Sequence, residues 1–201
     1  MAFNQLKSNL EKNGYIVKIF STSREAAEYI DKEIDGKTVG IGGSMTVEEM
    51  GLYDKLRLHN DVYWHARKYD GKSPAEIIAL ANSAQVYISS ANGIAETGEI
   101  INIDGACNRV SSVCYGHEKV IFVIGKNKLA PTYDEALLRA RNIAAPKNAK
   151  RLGKKTPCAE KGDKCYNCNS PERICRVLSV WWSKPMRGEF EVILIDENLG
   201  F

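Results

Sequence analysis

The sequence lacks long hydrophobic runs, internal repeats and low-complexity tracts. No apolar run approaches the roughly 20 residues that a helix needs to cross a bilayer, which excludes a membrane-spanning chain. The first residues, Met1–Lys7, contain no basic stretch followed by an apolar one, so we predict a cytoplasmic protein. With 201 residues, of which 44% are hydrophobic and 26% charged, the chain is neither disordered nor fibrous and is long enough for one full domain.

Histidine is scarce, and the three histidines match no metal-ligand spacing, but six cysteines are present. In a reducing compartment, thiols held together bind metal or perform redox chemistry more often than they form disulfides. Four of them follow the pattern Cys158-x6-Cys165-x2-Cys168-x6-Cys175. Four thiolates complete the ligand set of a tetrahedral Zn²⁺ or of a [4Fe–4S] cluster, so we predict a metal centre. Four unrelated thiols, or a redox pair at Cys165 and Cys168, are the alternatives.

The type of metal is left open by the spacing. A second Cys-x2-Cys pair, which would favour a zinc ribbon, is absent, and the spacing also differs from ferredoxin patterns. We expect the two remaining cysteines, Cys107 and Cys114, to be buried thiols and not ligands.

The charge is distributed unevenly along the chain. The net charge is +3, but the segment from Pro146 to Arg187 contains 11 Lys and Arg against 3 Asp and Glu, whereas the remainder contains 17 against 22. A basic excess can indicate nucleic acid, an anionic ligand or an anionic cofactor. Because basic residues alternate with the four cysteines, we favour an anionic metal cofactor and disfavour nucleic acid.

Helix and strand patterns alternate along the chain. Apolar runs predict strands at 15–20, 37–41, 61–65, 85–89, 120–124 and 191–195. Capping patterns predict helices that begin after Thr22, Ser73 and Thr132. This order predicts an α/β fold with a mainly parallel sheet flanked by helices. We assign residues 1–146 and 188–201 to that domain. We assign residues 147–187 to a basic, cysteine-rich metal-binding segment. Its first part, 147–156, is predicted to be the connector to the domain.

A glycine-rich loop, Gly40-Ile41-Gly42-Gly43-Ser44-Met45-Thr46, follows one predicted strand and precedes a helix. Glycines allow backbone N–H groups to approach an anion closely, and hydroxyls add donors. The candidate binding residues are Gly42, Gly43, Ser44 and Thr46. A plain turn, with Thr46-x-x-Glu49 as a capping box, explains the same residues equally well.

A second candidate loop follows the predicted strand at 85–89. Ligands of open parallel sheets lie beyond the carboxyl ends of the strands, where Glu96 would be available as a general base or a nucleophile. Further along, the Arg109 guanidinium is suited to clamping a carboxylate or phosphate. On the helix after Thr132, Arg139 and Asn142 share a face. The alternative to a functional role for Glu96 and Arg139 is that both are ordinary solvent-exposed side chains.

Several segments together resemble the LUD (lactate utilisation) domain family. The matching segments are 42–46 (GGSMT), 94–99 (IAETGE), 104–105 with 108–109 (DG and NR), 124–128 (IGKNK) and 139–146 (RARNIAAP). The stretch from Thr156 to Arg176 resembles the cysteine-bearing extension of short bacterial members. The resemblance covers most of the chain from Lys37 onward, and the order and number of the motifs carry it.

The resemblance implies the fold of the sugar-phosphate isomerase and CoA-transferase superfamily, with a small anionic metabolite bound over the sheet edge. That ligand would be an organic acid, a CoA ester or a sugar phosphate. Glu96 falls where CoA-transferases carry a catalytic carboxylate, although the local sequence differs. The implied ligand-binding residues are Gly42, Gly43, Ser44, Thr46, Thr97, Gly98, Asp104, Asn108, Arg109, Arg139 and Asn142.

Some LUD proteins belong to a system that oxidises lactate to pyruvate beside iron–sulfur proteins. This implies a [4Fe–4S] cluster, with zinc as the alternative, at Cys158, Cys165, Cys168 and Cys175. The alternative function is a non-catalytic sensor or an electron-transfer subunit that docks an iron–sulfur or flavin protein. Homo-oligomer formation is a further prediction.

Overall fold

The computed structural model describes residues 3–201 and contains ten strands in that range. They are β1 (Ile16–Phe20), β2 (Thr38–Ile41), β3 (Asp61–Tyr63), β4 (Val86–Ser89), β5 (Gly93–Ala95), β6 (Ile100–Asp104), β7 (Lys119–Gly125), β8 (Leu129–Ala130), β9 (Val177–Trp181) and β10 (Glu189–Ile195). Six of them form one sheet in the order β1-β10-β7-β4-β2-β3, and every neighbouring pair is parallel. The prediction of a mainly parallel sheet is therefore confirmed.

Nine α-helices accompany these strands in the described range. They are α1 (Asn4–Lys12), α2 (Ser23–Glu33), α3 (Met45–Glu49), α4 (Leu52–Leu56), α5 (Pro74–Asn82), α6 (Asn108–Cys114), α7 (Tyr133–Arg139), α8 (Ala145–Arg151) and α9 (Pro157–Lys161). The predicted capping boxes at Thr22, Ser73 and Thr132 are all present, because each hydroxyl accepts from the backbone N–H three residues later.

The central strand β7 shows why helices cover both faces of the sheet. Successive side chains of a strand point to opposite faces. Accordingly Phe122 packs into the apolar cluster that includes Leu6 and Leu10 of α1, whereas Ile121 and Val123 pack into the cluster built around α2 and α4. A strand that is buried on both faces has a continuous apolar run in its sequence, and this run is the pattern that predicted β7.

The sequence did not predict the second sheet, which has the order β8-β5-β6-β9. Its strands β5 and β8 have only three and two residues, too few to show a period. Strand β9 lies inside the segment 147–187 and pairs antiparallel with β6, from Ile100 opposite Trp181 to Asp104 opposite Val177. Met1 and Ala2, at the start of the predicted domain, lie outside the described residues.

The helix that begins after Thr132 is longer than predicted. We expected it to end near Ala145 and expected residues 147–156 to be a connector, but α7 continues through a π-helical turn, Ala140–Ala144, into α8, which ends at Arg151. The connector prediction is therefore wrong for 147–151. Proline removes one helical hydrogen bond and crowds the preceding turn, and the wide π turn that ends two residues before Pro146 accommodates both effects.

Within residues 3–201, none of the helices has the length and apolar character that crossing a bilayer requires.

Candidate functional site

A cavity of about 570 Å³ lies beyond the carboxyl ends of the parallel strands. Residues one to three positions after the ends of β2, β3, β4 and β7 line it: Gly43, Ser44, His65, Ser90, Asn92 and Lys128. Residues Ile103–Arg109, helix α8 and the stretch 171–176 supply the other walls. This is the edge at which open parallel sheets bind ligands.

The cavity wall carries an excess of positive charge. Its six basic side chains are Arg109, Lys128, Arg151, Lys154, Arg173 and Arg176, and its two acidic ones are Asp104 and Glu172. A concave surface lined by one sign of charge concentrates ions of the opposite sign. The cavity, which we call the basic cavity, is therefore suited to an anion.

The glycine-rich loop reaches this cavity, but its helix begins earlier than expected. Ser44 is the N-cap of α3 and accepts from the Val47 N–H at 3.3 Å, so the capping box proposed from Thr46 is wrong. Gly43 and Ser44 line the cavity. Gly42 lies behind it, where an added Cβ would be 3.0 Å from Arg109 Cγ. The absence of a side chain at Gly42 thus lets Arg109 pack against the loop.

The structure holds Arg109 by several protein acceptors. Its Nη1 donates to Asn102 Oδ1 at 2.7 Å, and its Nη2 donates to the Ile103 carbonyl at 2.7 Å and to Asn92 Oδ1 at 3.3 Å. The Nε lies 3.4 Å from Asp104 Oδ2. Most N–H donors of Arg109 are thus already engaged by the protein. Arg109 therefore contributes its positive charge to the cavity, and not a free pair of donors for a ligand. The neighbouring Asn108 also lines the cavity.

Lys128, to which the sequence assigned no role, is the buried cation of this site. Its side chain is 4% exposed, and its Nζ donates to Thr46 Oγ1 at 2.7 Å and to Ser90 Oγ at 2.8 Å. Burial, and after it the positive charges of Arg139 and Arg109, together lower the pKa of Lys128 to about 7 against the opposing effect of Glu49. The predicted site residue Thr46 is thus a partner of Lys128.

A signal in the sequence could have indicated Lys128. It lies three residues after the end of a buried strand, at the edge where ligands of parallel sheets bind. His65 follows β3 in the same way, and burial lowers its pKa. His65 belongs to no local motif, and Lys128 lies in the segment 124–128 that resembles the LUD family but was given no role of its own.

Glu96, Thr97 and Gly98 do not line the cavity. They form the turn between β5 and β6, where Asn9 Nδ2 of α1 donates to the Glu96 carbonyl at 2.8 Å. An added Cβ at Gly98 would lie 2.7 Å from Asn13 Nδ2, so this turn packs closely against α1. The catalytic role of Glu96 and the binding roles of its neighbours stay predictions, now at a different place from the cavity.

Arg139 and Asn142 connect other parts of the chain. Arg139 donates from Nε to the Asn127 carbonyl and from Nη1 to the Asn92 carbonyl, both at 2.6 Å, and burial lowers its pKa to about 10. Asn142 Oδ1 accepts from the Cys165 N–H at 3.1 Å. Neither side chain lines the cavity. Arg139 instead holds together the loops that contain Asn92 and Asn127, and Asn142 holds the backbone at Cys165.

A second, small cavity is lined by all four cysteines of the pattern. Its other walls are Arg141, Ala145, Pro146, Ala149, Thr156, Arg173 and Ile174. The Thr156 hydroxyl lies 3.3 Å from Cys158 Sγ, and the Asn167 N–H donates to Cys165 Sγ at 3.4 Å. Among residues 3–201, no group of three or more His, Cys, Asp or Glu side chains has an arrangement that could hold a metal ion. The four-cysteine metal centre therefore stays a prediction.

Arg173 and Ile174 line both cavities, so the two sites are neighbours. Arg173 donates from Nη1 to the Cys168 carbonyl at 2.9 Å and from Nε to the Cys175 carbonyl at 3.1 Å. Cys175, and less strongly Cys168 and Cys165, raise the pKa of Arg173. The guanidinium of Arg173 thus links the basic cavity to the cysteines.

The expectation that Cys107 and Cys114 are buried is wrong. Cys107 is half-buried, and Cys114 is exposed at the end of α6. Cys107 has a φ of 65° directly before α6, and its N–H donates to Asp104 Oδ1 at 3.1 Å. Its position is thus determined by the tight turn that Asp104 closes and not by apolar packing.

Comparison with known proteins agrees with the fold. The uncharacterized protein YkgG of Escherichia coli (strain K12) is 26% identical over 168 residues, which are 83% of this chain and 65% of that protein. A crystal structure of a DUF162 family protein from Deinococcus radiodurans superposes with a TM-score of 0.55 at 13% identity, over 95% of this chain and 94% of that one. Residues 3–195 match the family model of the LUD domain, and the chain therefore belongs to the LUD domain family.

Proposed function

We propose that this protein binds a small anionic metabolite in the basic cavity, next to an iron–sulfur cluster held by the four cysteines. One observation carries the proposal: Arg173 and Ile174 line both the basic cavity and the cysteine cavity. A ligand in the first cavity and a cluster in the second would therefore lie on either side of these two residues. This is an arrangement suited to lactate-utilisation-like redox chemistry on an organic acid.

The charge distribution supports an anionic ligand. Asp104 is already paired with Arg109, whereas Arg151 bonds only Asn148 of its own helix and Arg176 donates to backbone carbonyls. Several cations of the wall thus have no carboxylate partner among residues 3–201. A carboxylate or phosphate would supply that missing negative charge.

The four cysteines line one small cavity, which is where we propose that the cluster lies. Membership of the LUD domain family favours an iron–sulfur cluster over a single zinc ion there, because some LUD proteins act beside iron–sulfur proteins. A [4Fe–4S] cluster takes four thiolate ligands and, when bound, supplies one-electron transfer.

The residues around the cysteines suit this cofactor. Ala145, Pro146, Ala149 and Ile174 provide apolar walls that limit contact with water, and the Asn167 N–H donates to a cysteine sulfur. Hydrogen bonds to sulfur and solvent exclusion are the means by which a protein adjusts the potential of a cluster. Arg173 balances the negative charge of the thiolates on the side that faces the metabolite.

One observation favours the second candidate, an electron-transfer subunit or sensor that binds the metabolite without converting it. Glu96, the predicted acid–base residue, lies outside the cavity, and the cavity's Asp104 accepts from the backbone and pairs with Arg109. A stable complex with a flavin or iron–sulfur protein, with no turnover by the chain alone, would support this candidate.

Metal analysis of anaerobically purified protein tests the cofactor. We expect about four irons with matching acid-labile sulfide per chain and a broad visible absorption band. The Cys168→Ser variant should lose most of the iron, whereas Cys114→Ser, at an exposed position away from the cysteine cavity, should keep it. One zinc per chain and no colour would contradict the cluster.

Ligand binding is tested by the thermal stability of the protein with lactate, pyruvate, CoA and sugar phosphates in turn. At least one of these anions should raise the Tm of the wild type. Arg151→Gln should weaken that effect, and Lys147→Gln is the matched control because Lys147 is exposed on the same helix but does not line the cavity. If none of the anions changes the Tm, the metabolite site is wrong.

A further inference from the structure

Lys128 is a buried primary amine on the wall of the basic cavity. Its Nζ is bound by two hydroxyls, and it forms no ion pair with a carboxylate among residues 3–201. A buried lysine normally has a counter-charge, because an unpaired cation in a protein interior is costly. Its placement therefore calls for a chemical explanation.

We propose that Lys128 is a nucleophile that forms an imine with the carbonyl carbon of a 2-oxo acid bound in this cavity. The inference rests on the proposed function, since it requires the same cavity to hold the carboxylate of the ligand. It adds the class of ligand, a carbonyl next to a carboxylate, and the residue that reacts with it.

The hydrogen bonds around Nζ leave one position of the amine free. The Thr46 hydroxyl donates to the Leu199 carbonyl at 3.2 Å, and the Ser90 hydroxyl donates to Thr46 Oγ1 at 3.3 Å. Both hydroxyl protons are thus engaged, and both oxygens accept from Lys128. A neutral amine has two N–H donors and one lone pair, so these two bonds leave its lone pair unengaged.

The surroundings of Lys128 also favour the neutral form that nucleophilic attack requires. Burial and the neighbouring cations Arg139 and Arg109 lower its pKa to about 7, so much of the amine is unprotonated at neutral pH. Glu49, the acidic neighbour that opposes this shift, is engaged as acceptor of the Gly200 N–H at 2.7 Å. Desolvation beside other cations is an established way to activate a lysine toward a carbonyl.

The step is balanced without any further reactant. The Lys128 nitrogen attacks the carbonyl carbon, and the carbonyl oxygen leaves as water together with the two amine protons. A C=N bond replaces the C=O bond, and hydrolysis reverses the step. The unpaired cations of the cavity wall would hold the adjacent carboxylate.

Borohydride trapping tests the inference on the wild-type protein. Sodium borohydride added in the presence of pyruvate should attach one reduced pyruvate to the peptide that contains Lys128, as found by mass spectrometry. Lactate has the same charge and almost the same size but no carbonyl, so it should give no label. A carbonyl-bearing sugar phosphate is the third arm; labelling of Lys128 by it and not by pyruvate would overturn the assignment of a 2-oxo acid.

Two variants localise the reaction. Lys128→Met removes the amine from a chain of similar length and should abolish labelling in protein shown to be folded by circular dichroism. Lys126→Met is the matched control, because Lys126 lies two residues away and pairs with Asp196 at the surface at 3.0 Å; its labelling should equal that of the wild type. Undiminished labelling of Lys128→Met would overturn the inference.

The trapping and the thermal experiments separate the two proposals. If pyruvate raises the Tm but borohydride does not label Lys128, the imine is wrong and the anion site stands. If no anion binds and nothing is trapped, both are wrong.

Discussion

The central strand β7 and the cysteine stretch 157–176 differ in what surrounds their side chains. Every residue of β7 after Lys119 is buried, and β7 pairs in parallel on both sides. In 157–176 only Ala159 is buried, and residues 162–176 contain neither helix nor strand. Apolar burial therefore orders the sheet, whereas the cysteine stretch buries too little apolar surface to be ordered in the same way. The metal group proposed above would supply order there.

Removal of the proposed cluster should give the largest contrast between the two regions. Treatment of the purified protein with a strong iron chelator should raise the rate of proteolytic cleavage within 157–176 by about 10- to 100-fold, because the ordering ligand is lost. The sheet should stay resistant, since its order depends on apolar burial. Mass spectrometry of the first cleavage products checks this. First cleavage within the parallel sheet would contradict the distinction.

Truncation of a core side chain of β7 should destabilise the packing between the parallel sheet and β9, the strand that follows the cysteine stretch. Phe122 is fully buried, and its ring lies 5.9 Å from that of Trp181 on β9. Phe122→Ala should lower the free energy of unfolding by about 3–5 kcal/mol, measured by denaturant titration with circular dichroism. The control Trp182→Ala, at a side chain that is 74% exposed, should change it by less than about 0.5 kcal/mol. Equal effects would mean that β9 is not packed as described.

A buried ion pair at the edge of β10 should have an intermediate effect. Glu191 is 1% exposed, accepts from the Tyr29 hydroxyl at 2.8 Å and lies 2.7 Å from Lys119 Nζ. Glu191→Gln removes the negative charge but leaves Lys119 its second partner, Glu189, so we expect a loss of about 1–3 kcal/mol in unfolding free energy. Glu189→Gln, at a half-exposed position, should lose less than about 1 kcal/mol. The reverse order would refute this interpretation.

The smallest effect should come from a surface histidine far from the cysteine stretch. Asp31 and Asp35 bind the two ring nitrogens of His59 at 3.0 and 2.9 Å and raise its pKa. A raised pKa in the folded state favours folding when the ring is protonated. This contribution is complete below the ordinary histidine pKa of about 6.5 and is lost as the pH rises through the raised value. The Tm difference between wild type and His59→Gln should shrink over that range; a constant difference would exclude the linkage.

Local patterns were sufficient where a few adjacent residues determine the structure. The Ser73 hydroxyl and the Glu76 carboxylate lie three residues apart and close a capping box without help from the rest of the chain. In the same way the glycine-rich loop lies at the sheet edge because it directly follows β2. The predicted helix end near Ala145 was wrong, because the π turn Ala140–Ala144 lets the helix continue past Pro146, a residue type that usually ends a helix.

The candidate site could be predicted only in part, because its residues come from distant parts of the chain. Thr46 and Ser90 are 82 and 38 residues away from Lys128, and no local pattern links them. Glu96 lies away from the cavity for a related reason: it follows a strand closely in sequence, but the hairpin of β5 and β6 carries it to α1. Proximity to a strand end in sequence does not determine which way the following loop turns.

The sequence by itself determined the α/β class, the parallel sheet, the helix starts at Thr22, Ser73 and Thr132, and the family, because each depends on periodicity or on residues close together in the chain. Only the tertiary structure decided that the basic cavity and the four cysteines share Arg173 and Ile174, and that Lys128 is buried there without a carboxylate partner among the described residues. Those facts depend on which chain segments meet at the sheet edge. That meeting is governed by the packing of the whole core, which no single segment encodes.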